Sequence, residues 1–279
     1  NDVLRKLRNL FDQKKIGHGG TLDPLATGVL PVALGRGCRL LSYFLNGDKQ
    51  YFITLTLGSS TDTYDSTGEV INKSDWSSIK KSKVLEVMDN FLGYINQTPP
   101  KYSALKFKGR RFYDLARSGI EFDIQPRKIN IKSIDLVHYD PPILGFKILA
   151  TKGFYARSFA NDFGKAISIP SHMSALCRLS NGNFCIENSY TLEDIESHII
   201  NKKINSIILP LDYIVKFLPD IHLSKKSSVN IKNGQAISCK KFKSYIKSTY
   251  RIYDNNDNFI GIGVSELNSS LIKPVKIFN

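Results

Sequence analysis

Several stretches of the chain space their apolar residues as one face of an α-helix. Runs with this spacing cover residues 3–11, 84–92 and 157–167. The cap residues Asn1 and Asp2 precede the first run, and Gly93 closes the second. Thr191 and Asp194 have the spacing of a capping box, which predicts the start of a further helix.

Other stretches are apolar throughout or alternate between apolar and polar residues, as β-strands do. They cover residues 29–34, 49–57, 129–137, 143–150, 250–253 and 259–264. Residues 140–142 read Asp-Pro-Pro and connect two of these runs. Because the strands do not alternate regularly with helices, the pattern favours an α+β fold with antiparallel pairs over a doubly wound parallel sheet.

Composition and charge narrow the class of protein. The 279 residues are 42% hydrophobic and 11% aromatic, enough for a globular core, which excludes a disordered, collagen-like or coiled-coil chain. A net charge of +14 favours an anionic partner. No apolar run approaches the ~18 residues of a membrane-spanning helix, so we expect no membrane partner. Residues 219–279 hold 10 Lys and Arg against 4 Asp and Glu, and we place a domain boundary before them.

The cysteines and the first residues bear on the cellular compartment. The cysteines are Cys38, Cys177, Cys185 and Cys239, and they form no CxxC or Cys/His cluster. We therefore expect neither a zinc site nor a disulfide framework, but reduced thiols in the cytoplasm. No signal peptide is recognisable after Asn1, and we expect that an N-terminal segment is missing from this sequence.

Common nucleotide-binding and hydrolase motifs are absent. The chain contains no GxxxxGK[ST], GxSxG or HExxH, and the glycines at 17–20 do not continue as GxGxxG. Residues 103–106 read SALK and match the SxxK of penicillin-recognising enzymes. The companion SDN and KTG motifs are absent, so a chance match is favoured.

A glycine-rich segment at residues 17–28 is the strongest candidate for chemistry, and we predict a structured loop there. Asp23 precedes Pro24 and lies between glycines that allow the backbone to come close to a ligand. A carboxylate held in this way can attack the anomeric carbon of a sugar or act as an acid or base. Alternatively, Asp-Pro only initiates a turn and His18 is an ordinary loop histidine. Composition and spacing leave both interpretations open.

Residues 17–35 read GHGGTLDPLATGVLPVALG and resemble GHTGTLDPLATGVLPV, the signature of the TruB family of tRNA pseudouridine-55 synthases. Further family motifs follow in the expected order: DKQY at 48–51, LGxxTDTxDxxG at 57–68, PPKYSALK at 99–106, KGFYARS at 152–158 and LCRL at 176–179. GIG at 261–263 more loosely resembles part of the family's PUA-like RNA-binding domain. The resemblance is strong over residues 1–215 and weak beyond them.

This resemblance implies that the protein isomerises uridine 55 in the T loop of tRNA to pseudouridine. A C–N glycosidic bond is broken and a C–C bond is made with the same base, which needs neither cofactor nor metal. The implied fold is α+β, with a catalytic domain over residues 1–218 built on a mixed, mostly antiparallel sheet. A small PUA-like β-barrel follows over residues 219–279. The implied partner is the T stem-loop of tRNA, and we expect a monomer.

The resemblance also implies roles for individual residues. Asp23 corresponds to the catalytic aspartate, which either attacks C1′ or removes the C2′ proton. Tyr51 corresponds to the active-site tyrosine that would stack on the flipped base, and Arg157 to the arginine that would pair with Asp23. The implied substrate-binding residues are His18, Lys152, Tyr155 and Leu176, of which Leu176 would form a wall of the uracil pocket.

Purely structural roles are alternatives for some of these residues. Tyr51 and Leu176 could be plain core residues, and Arg157 could be a surface arginine. The first helix and the basic runs at 106–111 and 240–247 are candidate phosphate contacts or simply solvated charges. The chain departs from the family at Gly19, where Thr is usual, and in lacking a KPxGxTS-like segment before the first helix.

Three other functions are weighed against this one. The main alternative is a catalytically silent tRNA-binding or tRNA-folding factor, which would use the same basic surface. A synthase acting on ribosomal or other RNA is the nearest alternative enzyme. A retaining glycosidase would need a second carboxylate about 5 Å from Asp23.

Overall fold

The computed structural model describes residues 2–103, 105–107, 109–118, 120, 122–238, 248–266 and 269–278. Its α-helices are α1 (Asp2–Leu10), α2 (Leu41–Phe44), α3 (Lys81–Asp89), α4 (Phe112–Arg117), α5 (Ala156–Ala166), α6 (Leu192–Ile200) and α7 (Lys225–Lys232). Its strands are β1 (Ile16–His18), β2 (Ala26–Gly28), β3 (Val32–Leu34), β4 (Lys49–Leu57), β5 (Ser59–Thr61), β6 (Val70–Lys73), β7 (Gly93–Gln97), β8 (Lys106–Phe107), β9 (Arg110–Arg111), β10 (Arg127–Asp140), β11 (Ile143–Ala150), β12 (Ser171–Asn181), β13 (Phe184–Cys185), β14 (Asp220–His222), β15 (Ile237–Ser238), β16 (Thr249–Tyr253), β17 (Phe259–Ser265) and β18 (Leu271–Ile277).

The chain divides into two compact units that do not follow chain order. The terminal unit combines Asn1–Gly19, Val32–Phe44 and Tyr190–Asn279, and the central unit combines Gly20–Pro31 and Leu45–Ser189. The predicted domain boundary after residue 218 stays a prediction. None of the helices in the described ranges is long and apolar enough to cross a membrane.

A seven-stranded sheet forms the centre of the central unit. The strand order is β13-β12-β4-β11-β10-β7, and β2 adds to β12 as a parallel strand while the other pairs are antiparallel. Every second residue of β4 is buried, and the residues between them are less so. This alternation with a period of two is what a strand needs to place one face in a core.

Helix α5 covers the core face of this sheet. Most of its residues are buried, including Phe159 and Phe163. The rings of both contact Phe146 of β11, with centroids 5.5 and 4.9 Å apart, and Phe159 also contacts Phe91 at 5.3 Å. Interlocked aromatic rings of this kind fix the position of the helix on the sheet. They thereby fix the first turn of α5, where Arg157 lies.

The described part of the terminal unit contains three separate apolar clusters. Leu4 and Leu7 of α1 pack with Ile16 of β1, and β1 pairs antiparallel with β3. Five strands of the C-terminal region form a second sheet in the order β14-β16-β17-β18-β15. Only the β14–β16 pair of that sheet is parallel. Tyr250 and Ile252, which alternate along β16, pack in its core with Ile260 of β17 and Ile272 of β18.

Most sequence-predicted elements are confirmed. The α+β fold with mostly antiparallel sheets and a β-rich C-terminal region is present. Strands β4 and β11 have the predicted bounds, and α1, α5, β10, β16 and β17 lie within a few residues of theirs. The predicted capping box is also formed, since Thr191 Oγ1 accepts from the Asp194 amide at 3.1 Å and Asp194 Oδ2 accepts from the Thr191 amide at 2.9 Å.

Three local predictions are wrong. The strand predicted over residues 29–34 is confined to Val32–Leu34, because Pro31 has no N–H to donate and the amide of Val29 instead bonds to the Arg178 carbonyl at 2.8 Å. The segment predicted as a loop over 17–28 has short strands at both ends. The helix predicted over 84–92 ends at Asp89, since residues 90–92 form tighter turns and Gly93 begins β7.

Candidate active site

The Asp23 segment is held against β12 by close backbone packing. Ala26, Thr27 and Gly28 of β2 pair with Leu176, Cys177 and Arg178. Gly28 has φ +98°, and a Cβ atom there would lie 2.3 Å from the carbonyl oxygen of Arg178. Only glycine permits this approach, because other residues would be strained in φ and would clash with the backbone. The close packing therefore fixes the position of β2 against β12, and Asp23 lies three residues before β2.

Arg157 binds the Asp23 carboxylate with two hydrogen bonds. Its Nε donates to Asp23 Oδ2 at 2.8 Å and its Nη2 donates to Asp23 Oδ1 at 2.9 Å. The same guanidinium donates to the carbonyl of Tyr102 at 3.0 Å. The Arg157 side chain is 7% exposed and that of Asp23 is 31% exposed. A bidentate pair of this kind fixes the plane of the carboxylate while leaving it open to a ligand.

Asp65 is a second carboxylate beside Arg157. Its Oδ2 lies 3.6 Å from Arg157 Nε, and its side chain is 6% exposed. Its Oδ1 accepts hydrogen bonds from the Thr63 hydroxyl at 2.7 Å, the Thr67 hydroxyl at 2.6 Å and the Thr67 amide at 3.0 Å. These contacts fix the position of Asp65, whose buried carboxylate is therefore held beside the Arg157 guanidinium.

Tyr51 lies on β4 at the edge of the same group of residues. It is 8% exposed, and its ring packs against that of Phe154 with centroids 5.7 Å apart. Burial raises the pKa of the Tyr51 hydroxyl, while the charge of Arg178 and a hydrogen bond with it act in the opposite direction, and the charge of Asp23 raises the pKa further. Tyr51 therefore lies within electrostatic reach of Asp23 and directly beside Arg178.

Tyr155 precedes α5 and is held through its backbone. The side-chain amide of Gln97 accepts from the Tyr155 amide at 2.8 Å and donates to the Tyr155 carbonyl at 3.0 Å. One turn along, the Ser158 hydroxyl donates to the Thr98 carbonyl at 2.6 Å. The end of β7 thus orients the start of α5 and, with it, Arg157. Burial raises the pKa of the Tyr155 hydroxyl.

The remaining predicted substrate-binding residues are more scattered. Leu176 is buried in the core cluster, and Lys152 is exposed and donates from Nζ to Asn46 Oδ1 at 2.9 Å. His18 ends β1 in the terminal unit, and its buried Nδ1 has no hydrogen-bond partner among the described residues. The roles predicted for these three residues stay predictions.

The structure bears on the departure from the family at Gly19 and on the predicted basic patches. The departure at Gly19 has a local explanation, since a Cβ atom there would lie 2.5 Å from the Cβ of Phe44. Of the predicted basic patches, Lys108 and residues 240–247 lie outside the described residues. Within the described ranges, no group of three or more His, Cys, Asp and Glu is placed to hold a metal ion.

Sequence reasoning assigned no role to Asp65 or Arg178, although both lie in matched motifs. Arg178 is 2% exposed and is among the largest fully buried side chains. One signal was available, because Arg178 follows Leu176 by two residues on an alternating strand and so had to share its buried face. Asp65 offered no such signal, since its burial depends on Arg157, which is distant in the chain.

The geometry also bears on the glycosidase alternative. A retaining glycosidase needs two carboxylates that both reach the sugar. Asp65 is the second carboxylate near Asp23, but it is buried and its Oδ1 accepts from two neighbouring threonines. It cannot approach a substrate in this arrangement, so Asp23 is the accessible member of this pair of carboxylates.

The chain is similar to known proteins over its whole length. The N-terminal domain of TruB family pseudouridylate synthases matches residues 8–156, and the TruB C-terminal domain of pseudouridine synthase II matches residues 219–277. A tRNA pseudouridine synthase B of Caldanaerobacter subterraneus is 40% identical over 279 residues, covering 100% of this chain and 94% of the relative. One of Clostridium kluyveri is 40% identical, covering 99% and 94%.

Solved structures resemble the fold of the whole chain. A chain of a Cbf5–Nop10–Gar1 complex superposes with a TM-score of 0.73 at 23% identity, covering 99% of this chain and 80% of that one. A chain of an H/ACA ribonucleoprotein bound to a substrate RNA containing 2′-deoxyuridine gives 0.72 at 21%, covering 100% and 80%. The family model and the two relatives, taken together, place the chain among the RNA uridine isomerases. The chain belongs to the TruB family of pseudouridine synthases.

Proposed function

We propose that this chain isomerises uridine 55 in the T loop of tRNA to pseudouridine, with Asp23 attacking C1′ or removing the C2′ proton. The observation that carries the proposal is the Asp23–Arg157 pair, in which a buried guanidinium orients a carboxylate that is 31% exposed. The relatives at 40% identity are named tRNA pseudouridine synthase B, which supports tRNA as the substrate.

The proposed reaction places three requirements on the site. The target base must leave the T loop, and a net charge of +14 supplies phosphate contacts that offset the cost of extruding it. The detached uracil must stay enclosed while it turns, for which Tyr51 and Leu176 would provide apolar walls. The carboxylate must meet the ribose in a fixed orientation, which the two hydrogen bonds from Arg157 provide.

Further parts of the proposal concern the assembly. Residues 219–277 match the family's C-terminal domain and would add contacts to the T stem-loop. We propose that the protein acts as a monomer in the cytoplasm, on the T stem-loop of free tRNA.

Release of tritium from tRNA labelled at C5 of uracil tests the function directly. We expect wild type to release tritium from a transcript with uridine at position 55 and not from one with cytidine there. Asp23→Asn, which keeps the shape but removes the charge, should abolish release. Asp75→Asn is the matched control, because that carboxylate is exposed in the same unit and accepts from the amide and hydroxyl of nearby Ser77.

The outcomes separate the candidate functions. Tight tRNA binding without release by wild type would contradict the proposal and favour a silent tRNA-binding factor. Equal release from the cytidine-55 transcript would place the reaction at another uridine. Full release by Asp23→Asn would show that the Asp23 carboxylate is not required for the reaction.

A further inference from the structure

Arg178 holds both ends of the segment that carries Asp23. Its Nε donates to the carbonyl of Val29 at 2.7 Å and its Nη2 donates to the carbonyl of Gly20 at 3.1 Å. The Val29 amide donates back to the Arg178 carbonyl at 2.8 Å. One residue of β12 therefore closes the segment from Gly20 to Val29 into a loop with Asp23 near its middle.

The same guanidinium contacts Tyr51. Arg178 and Tyr51 are direct partners in the β12–β4 register, so their side chains lie on one face of the sheet. The charge of Arg178 and its hydrogen-bonding interaction act to lower the pKa of the Tyr51 hydroxyl, against the larger effect of burial, and Tyr51 in turn acts on the pKa of Arg178. The other titratable groups that act on the Tyr51 hydroxyl are Asp23 and Tyr155.

Arg178 has no acidic partner to offset its burial. Among the described residues no carboxylate lies within 4.0 Å of its guanidinium, whereas Arg157 has Asp23 and Asp65. Burying a cation without an anion costs free energy unless its donors are satisfied by other groups. Here the partners are two carbonyls of the Asp23 segment and the hydroxyl of Tyr51. Arg178 therefore interacts with both the Asp23 segment and strand β4.

We propose that Arg178 is a positioning residue for the isomerisation, which joins the two ends of the Asp23 segment to the Tyr51 hydroxyl and so sets the carboxylate and the phenol ring in one geometry. The inference rests on the proposed function, because it assigns Asp23 and Tyr51 to one reaction. Arg178 itself acts through these residues and not on the substrate.

Single-turnover kinetics with excess enzyme test this role. We expect Arg178→Gln to lower the rate of tritium release about 100-fold while tRNA affinity stays within about twofold, because misplacement by about 1 Å affects chemistry more than binding. Arg178→Lys keeps the charge but cannot reach two carbonyls and a phenol, so it should recover only part of the rate.

Tyr139→Phe is the control for a general loss of stability. The Tyr139 hydroxyl lies in the same unit as Arg178 and donates to the Ile79 carbonyl at 3.0 Å, so this variant also removes a side-chain contact to the backbone. This control should keep the wild-type single-turnover rate. A rate within threefold of wild type in a folded Arg178→Lys, or an equal loss in Tyr139→Phe, would overturn the proposal.

A spectroscopic readout does not depend on RNA. The ¹³Cζ resonance of Tyr51, assigned by its absence in Tyr51→Phe, should titrate about one pH unit or more higher in Arg178→Gln than in wild type, because a nearby positive charge and its hydrogen bond are lost. An unchanged titration would contradict the Arg178–Tyr51 contact. If wild type released no tritium, the proposed function would be wrong. The titration would still test the contact between Arg178 and Tyr51, because it needs no RNA.

Hydrogen exchange covers the case in which the Arg178 variants do not fold. Tyr51→Phe retains Arg178 and removes one of its partners, so the amides of residues 26–29 should exchange about fivefold faster if the guanidinium couples the two elements. Amides of β10 serve as the internal reference. Unchanged exchange at 26–29 would overturn the coupling.

Discussion

Two buried arginines contact the Asp23 segment, and they differ in what they bind. Arg157, at the start of α5, pairs with Asp23 and Asp65. Arg178, in β12, binds carbonyls at both ends of the segment and the Tyr51 hydroxyl. The first arginine orients a carboxylate that faces solvent, and the second fixes the backbone on which that carboxylate stands.

The difference shows how one fold can divide the tasks of an active site. A guanidinium between two carboxylates has its burial cost offset by charge, so it can lie beside an exposed reacting group. A guanidinium with only neutral acceptors is best used where the acceptors are backbone carbonyls that need a partner. A substitution at Arg157 should therefore affect mainly the reaction rate. A substitution at Arg178 should also affect the backbone position of the Asp23 segment.

Of the four variants that test this comparison below, Arg157→Lys should have the largest effect. An ammonium group cannot donate two parallel hydrogen bonds to Asp23 and also reach the Tyr102 carbonyl, so the carboxylate loses its fixed plane. We expect the single-turnover rate of pseudouridine formation to fall about 100-fold. A rate near that of wild type would show that the bidentate geometry is not required.

Asp65→Asn should have a smaller effect on the rate. It keeps an acceptor for the threonine hydroxyls but removes the charge behind Arg157, which should cost about tenfold in the single-turnover rate. Asp62→Asn is the matched control, since Asp62 bonds to the amide of Glu69. Equal losses in the two variants would mean that the local turn, and not the charge beside Arg157, matters.

Gly28→Ala addresses the backbone side of the comparison. The new Cβ would lie 2.3 Å from the Arg178 carbonyl at a φ of +98°, so we expect the free energy of unfolding to fall by more than the ~1–3 kcal/mol that positive φ alone costs. Gly93→Ala is the control, because Gly93 has φ +87° and nothing within 4 Å of its Cβ position. Urea denaturation measures both, and equal losses would argue against tight packing at Gly28.

The smallest effect concerns an exposed charge cluster in the terminal unit. Hydrogen bonds that the His222 ring donates to the carboxylates of Asp257 and Asp220 raise the pKa of His222 above its usual 6.5. A raised pKa means that the cluster stabilises the folded state below pH 6.5 and that this contribution is lost as the pH rises through the folded-state pKa. NMR titration of His222 should show a lower pKa in Asp257→Asn. An unchanged pKa would show that the Asp257 carboxylate has no measurable influence on His222.

The parts of the fold that were predictable depend on short-range patterns. The alternation of residues 49–57 predicted β4 because a strand with one buried face needs a period of two. The strand predicted over 29–34 was wrong because Pro31 and the Val29–Arg178 contact interrupt it, and the second of these joins residues 149 apart in the chain. Hydropathy carries no information about such a contact.

The sequence by itself determined the family, through consecutive motifs, and it singled out Asp23, Tyr51 and Arg157 as candidates. Only the tertiary structure decided how they meet, since Asp23 and Arg157 are 134 residues apart and are brought together by β12 and α5. The roles of Asp65 and Arg178 likewise depend on burial and on distant partners. Spacing along the chain encodes local geometry, whereas the energetics of a buried charge depend on every group that folding brings around it.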